Sequence, residues 1–143
     1  LYVQSHNIKN VKLYGRKPKN ELQDYFKKTD ICIFALTGDS FVSNTIPAKL
    51  QDYMSSGKMI IGSVTGDAAK IINEAKCGFT CKPNNEDELI KTIKLVISKK
   101  DLYLEYGQNG KNYFIKNYTM QTFMNNLNKI LEETKWVFLK TKH

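Results

Sequence analysis

Hydrophobic positions along the chain change period several times, and each change marks a candidate element. Residues 31–36, Ile-Cys-Ile-Phe-Ala-Leu, are an unbroken apolar run. Too short for an independent helix, this run predicts a central parallel strand buried on both faces. Residues 59–64, Met-Ile-Ile-Gly-Ser-Val, predict a second buried strand, and residues 79–81 a short third one. Between and after these runs the spacing becomes helical. Leu50, Tyr53, Met54 and Gly57 recur on one face, as do Ala68, Ala69, Ile71, Ile72 and Ala75, and then Leu89, Ile93, Val96 and Ile97. Asp67 is expected to cap the second of these helices and Gly78 to end it. Asn85 and the acidic residues after it give the third an N-terminus suited to the helix dipole. Strands alternating with helices across short loops argue for an α/β protein, a parallel sheet covered by helices on both faces.

The flanks are read in the same way. Residues 1–9 fit the tail of a helix. Val11 and Leu13 alternate with Lys12 ahead of Gly15, which predicts a short strand and then a turn. Pro18 opens a helix with Leu22, Tyr25 and Phe26 on one side. Further on, Gly107 and Gly110 interrupt a pattern carried by Leu102, Leu104, Tyr106, Tyr113 and Phe114. Each glycine weakens a helix by about 1 kcal/mol, so two helical pieces or one interrupted helix are expected. Thr119 caps a final amphipathic helix whose Phe123, Met124, Leu127, Ile130 and Leu131 read as core.

Residues 45–58 form the stretch on which chemistry is most naturally placed. Thr45 is a candidate N-cap and Pro47 suits the first helical position. Lys49, Asp52 and Ser56 fall together on a face away from Leu50 and Met54. A helix end of this kind offers free N–H groups to an anion. The loop 37–44 leaves the carboxyl end of the first buried strand, where open α/β sheets bind ligands.

Composition narrows the picture without redirecting it. With 143 residues, 41% apolar and 25% charged, the chain is long enough for one globular domain. No apolar run approaches the roughly 20 residues of a membrane-spanning helix. The first residue is Leu and no signal-peptide pattern follows, so the chain reads as an excised fragment. Three cysteines and two histidines supply neither an even disulfide set nor a zinc spacing, which fits a reducing cytosol with Cys32 and Cys81 as buried apolar groups. The net charge of +8 suits nucleic acid, anionic lipid or a phosphorylated ligand. Its lysines, however, are spread out and several close predicted helices, so a solvated basic surface is favoured and no nucleic-acid partner is expected.

Taken in order, residues 11–16, 30–36, 45–49, 52–58 and 60–61 resemble the donor domain of retaining GT-B glycosyltransferases of family four, over about residues 10–135. The resemblance implies a Rossmann-like sheet in the C-terminal half of a GT-B fold. It also implies binding of a nucleotide-diphosphate sugar, with UDP-sugars the leading class, and no cofactor or metal. Relatives carry two glutamates eight positions apart. Asp52 falls on the second and takes its ribose role with a shorter side chain; Asn44 falls on the first and is no carboxylate. Thr45, Ile46, Pro47, Ala48 and Lys49 resemble the Thr-(Val/Ile)-Pro-Ser-Lys sequence of a subgroup that builds capsule, O-antigen and other surface polysaccharides. There the backbone N–H groups near Ala48 and Lys49 would hold the diphosphate. Arg16 and Lys17 are assigned to the nucleotide base.

By the same resemblance, residues 1–143 form a partial donor domain without its first strands, its basic Arg/Lys pair and the N-terminal acceptor domain. The chain alone is then not expected to transfer sugar. Either the strands at Val11 and Ile31 pair directly, or a second copy fills the gap, or an edge stays open to self-association. The expected location is the cytosol, with peripheral membrane contact through the basic surface and residues 136–139, which could equally pack on the acceptor domain. Two alternatives remain at this point. One is a GT-B-like sugar-nucleotide epimerase and the other a non-catalytic flavodoxin-like module. Lys49 and Asp52, three apart, could also be a plain surface ion pair.

Overall fold

Five consecutive buried residues set the architecture. In the computed structural model, which describes residues 2–37 and 45–140 (side chains to residue 134), Met59–Ser63 forms β2 and every one of its residues is buried. It pairs in parallel with Ile31–Ala35 (β1) on one side and Gly78–Cys81 (β3) on the other, in the order β1-β2-β3. Successive β2 side chains point to opposite faces, so one strand seeds two apolar clusters. Ile60 joins Phe34, Leu50, Met54, Ile72 and Cys77 on one face. Met59 and Ile61 join Val96 on the other, with Ile31, Phe79, Leu89, Ile93 and Tyr106 against them. Each fully buried side chain of this size contributes about 1.5–3 kcal/mol.

The helices are Tyr2–Ser5 (α1), Leu22–Lys27 (α2), Ala48–Ser55 (α3), Gly66–Glu74 (α4), Glu86–Ile97 (α5), Tyr103–Tyr118 (α6) and Met120–Lys140 (α7). α3 and α4 cover the Ile60 face and α5 the Ile61 face, which fits the α/β class with helices on both sides. Both α3 and α4 close in Schellman turns that satisfy their last carbonyls. After α3, Gly57 adopts φ +67° and donates to Met54 O at 3.0 Å, while Lys58 N donates to Tyr53 O at 3.5 Å. After α4 the left-handed residue is Lys76 at φ +48°; its N–H reaches Asn73 O and that of Cys77 reaches Ile72 O. Gly78 therefore does not end α4 but begins β3. The acidic first turn of α5 is Glu86, Asp87 and Glu88, and Asn85 stands just outside it as the cap, its side chain accepting from Glu88 N at 3.0 Å.

Several expectations are corrected. Residues 11–14 form no strand: no described strand lies alongside, and a strand without a neighbour has no ladder to hold it. β1 is an edge of the described sheet rather than a central strand. Cys32 and Phe34 are buried, but Ile33 is 46% exposed. Pro47 is the N-cap of α3 and Thr45 lies two residues outside; likewise Thr65 is the N-cap of α4 and Asp67 is inside its first turn. α6 is one uninterrupted helix in which Gly107 and Gly110 are buried. Close packing, not weakness, explains both glycines. A methyl on Gly107 would collide with the Gly57 carbonyl, and one on Gly110 would sit 3.0 Å from Cys77 Cβ. Ile97 is exposed, and the apolar stripe of α7 is not core: Phe123, Met124, Leu127, Ile130 and Leu131 are all exposed. Among the described residues no helix is long and apolar enough to cross a membrane.

Candidate functional site

The candidate site begins where β1 hands over to α3. Leu36 N still donates to Ser63 O at 3.1 Å, so the chain leaves β1 paired to β2. Asn44, with the rest of residues 38–44, lies outside the described residues. The chain is described again at Thr45 and Ile46, both exposed, and then Pro47 caps α3 with extended geometry (φ −65°, ψ 137°) and no side-chain hydrogen bond to the first turn. Pro47 O accepts from Leu50 N at 3.0 Å. The N–H groups of Ala48 and Lys49 are the donors that an α-helix leaves without an internal partner.

Lys49 is exposed and makes no ion pair with Asp52, so the surface-pair reading of these two finds no support among the described ion pairs. Half-buried Asp52 instead lines an open groove of about 910 Å³ between α2 and α3, with Lys19, Phe26, Lys27, Ser56 and Lys58 among its walls. That groove runs from Asp52 toward the end of α3, away from Ala48 and Lys49. The Ser55 and Ser56 hydroxyls donate to Asp52 O and Tyr53 O at 2.8 and 2.7 Å.

Arg16 and Lys17 do not line it. Arg16 is exposed, while Lys17 is held locally, 4.0 Å from Glu21 and 5.9 Å over the Tyr25 ring. The groove's cations are Lys19, Lys27 and Lys58, none of which the sequence singled out for binding. Lys27 is paired with Asp24 at 2.9 Å, and its hydrogen bond and charge hold the Asp24 carboxyl below its usual pKa. In the sequence Lys27 reads as a cation closing a helix, and Lys19, in the turn Lys19–Glu21 ahead of α2, carries no signal of its own.

A second helix start stands at the same end of the sheet. α4 opens directly after β2, and its N-cap Thr65 makes no side-chain hydrogen bond to the first turn. Ser63 is buried, and its hydroxyl donates to Lys82 O at 3.3 Å, tying the ends of β2 and β3 together. Burial pushes the Cys32 thiol up to about 11 and Cys77 to about 12, so neither serves as a thiolate nucleophile near neutral pH. Among the described residues no group of three His, Cys, Asp or Glu could hold a metal.

The pattern model for glycosyl transferases group 1 matches residues 1–113. The chain belongs to that family. Two uncharacterised glycosyltransferases of Methanocaldococcus jannaschii are similar in sequence. One is 23% identical over 132 residues, covering 92% of this chain and 36% of its own length. The other is 26% identical over 106 residues, covering 74% of this chain and 26% of its own. Among solved structures, a sucrose-phosphate synthase of Thermosynechococcus elongatus superposes with a TM-score of 0.77 at 14% identity, over 95% of this chain and 33% of that one. A glycosyltransferase of Rickettsia africae gives 0.72 at 19% identity, over 92% and 34%. This group 1 chain therefore has the α/β, GT-B-type fold expected for it, and spans between about a quarter and about a third of the length of these relatives.

Proposed function

We propose that this chain is the donor-binding part of a retaining glycosyltransferase of family four, one that moves a sugar from a nucleotide-diphosphate sugar to a lipid-linked surface polysaccharide. The observation that carries the reading is α3, a helix in a group 1 chain whose N-terminus follows the carboxyl end of a parallel strand and whose N-cap residue, Pro47, makes no side-chain hydrogen bond to it. The N–H groups of Ala48 and Lys49, with the Lys49 ammonium, would neutralise a diphosphate as negative charge builds on it during departure of the sugar. Asp52, one turn further along, would accept hydrogen bonds from the ribose hydroxyls. Asn44, Thr45, Ile46 and Pro47 would border the same ligand, and Arg16 and Lys17 would lie toward the base.

A UDP-sugar heads the candidate donors, with no metal or other cofactor in the reaction. Residues 1–143 are then a partial donor domain, and the acceptor would be held by a further N-terminal domain; this chain alone is not expected to transfer sugar. The proposed setting is the cytosolic face of a membrane, with peripheral contact. The open edge of β1 gives self-association a route in the isolated chain. The family match favours neither the epimerase nor the non-catalytic module.

Calorimetric titration of UDP, GDP and ADP into the longest polypeptide carrying this chain tests the reading. One of them is expected to bind, with Lys49→Ala and Asp52→Ala each weakening it about tenfold, equivalent to about 1.4 kcal/mol. Binding by none of them would overturn it.

A further inference from the structure

The two helices whose N-termini stand at the candidate site are gripped at their opposite ends by one element. α6 crosses the amino ends of β2 and β3. Gly107 meets the Gly57 carbonyl, where α3 turns into β2, closely enough that no side chain would fit. Two residues on, Asn109 Nδ2 donates to Lys76 O at 3.2 Å, where the left-handed turn after α4 leads into β3. Gly110 fits between Cys77 and Met54, and Tyr113 Oη donates to Glu74 at 3.3 Å. On the far side, Tyr106 stacks on Phe79 with ring centroids 5.5 Å apart, which anchors α6 to the other face of the sheet.

α3 and α4 have eight and nine residues, so they are rods of about 12 and 13.5 Å. Their carbonyl ends are locked in Schellman turns, and a shift imposed there is carried to the N-terminus of a rigid helix. We propose that α6 is a positioning clamp, and that Gly107 and Asn109 are positioning residues. From the amino ends of β2 and β3 they fix where the N-termini of α3 and α4 stand. The consequence for binding rests on the donor reading above; the geometry does not. Hydrogen bonds weaken steeply once donor and acceptor leave their preferred distance and angle, so a transmitted shift of the helix N–H groups should be felt in affinity.

Three variants separate positioning from stability. Gly107→Ala forces α6 off Gly57, and Asn109→Ala releases Lys76. Val96→Ala leaves a cavity on the opposite face, in the cluster that Tyr106 shares, so it lowers stability beneath α6 while leaving the Gly107–Gly57 and Asn109–Lys76 contacts intact. The amide chemical shifts of Ala48, Lys49, Gly66 and Asp67 are expected to move in both clamp variants. They are expected to stay in place in Val96→Ala, although all three variants melt at lower temperature. UDP affinity, measured well below melting, should fall about tenfold in the clamp variants and stay within about twofold of the parent in Val96→Ala. Unmoved amides in Asn109→Ala, which should fold even if Gly107→Ala does not, would overturn the proposal. So would equal movement in Val96→Ala. If the parent protein binds no nucleoside diphosphate, the donor reading fails, and the amide shifts still decide the clamp.

Discussion

Ile33 and Ile61 face each other across the β1–β2 ladder, yet one is 46% exposed and the other 1%. Both sit in apolar runs that read as buried strands. What separates them is the number of neighbours: β2 has a strand on each side and helices over both faces, while β1 has one described strand beside it, full cover on its Cys32 and Phe34 face, and on the other face partial cover that reaches Ile31 but leaves Ile33 exposed. An apolar run reports that a strand wants burial, not that the described fold supplies it. The same contrast recurs between α6, whose glycines are buried in contact with α3, and α7, whose apolar stripe is exposed.

Substitutions along the ladder should reproduce that difference. Ile61→Ala is expected to destabilise by about 4 kcal/mol, because a central strand cannot collapse around the cavity. Phe34→Ala, on the covered side of β1, should cost about 3 kcal/mol, the edge giving it more room to relax. Asn85→Ala, which removes a single cap hydrogen bond to Glu88 N, should cost about 1 kcal/mol and so calibrates a local effect. Ile33→Ala should cost less than about 1 kcal/mol, since its side chain already meets solvent. Chemical denaturation of each variant measures all four; a cost at Ile33 equal to that at Ile61 would show that something covers β1 in solution.

The thiols provide a further, pH-dependent comparison. Cys77 is raised by burial from 9.0 to about 12. A raised acid binds its proton more tightly when folded, so its contribution to stability is complete below about pH 9 and is lost as pH rises toward 12. Cys32, on the edge strand, is raised less, to about 11, with Lys58 pulling it back. Thiol labelling under native conditions at pH 8 should therefore spare both, and as pH rises Cys32 should react first. Earlier labelling of Cys77 would place the looser packing at β2 and β3 instead.

Much of the candidate site was written locally. The helix over α3, its inward Leu50 and Met54, and the acidic first turn of α5 follow from residue type and spacing, because helical periodicity and the helix dipole act within a turn or two, whereas the cap at Pro47 in place of Thr45 and the left-handed stop at Gly57 did not show in them. Non-local facts escaped. Spacing put Lys49 and Asp52 on one face of a helix, but only the packing of α2 against α3 made Asp52 a groove residue and brought Lys19 and Lys58 to the same groove. Arg16 and Lys17 were marked by their place after a strand that the fold does not form.

The sequence by itself determined the succession of strands and helices, the polar start of α3 and the membership of a glycosyl transferase family, since each depends on short-range pattern or on motif order. Tertiary structure alone decided that β1 is an edge, that residues 11–14 stay unpaired, and that Gly107 belongs inside a helix. Those outcomes depend on which surfaces meet. A glycine weakens an isolated helix, but here it lets one backbone rest against another, and a strand-like pattern becomes a strand only beside a partner that can take its hydrogen bonds.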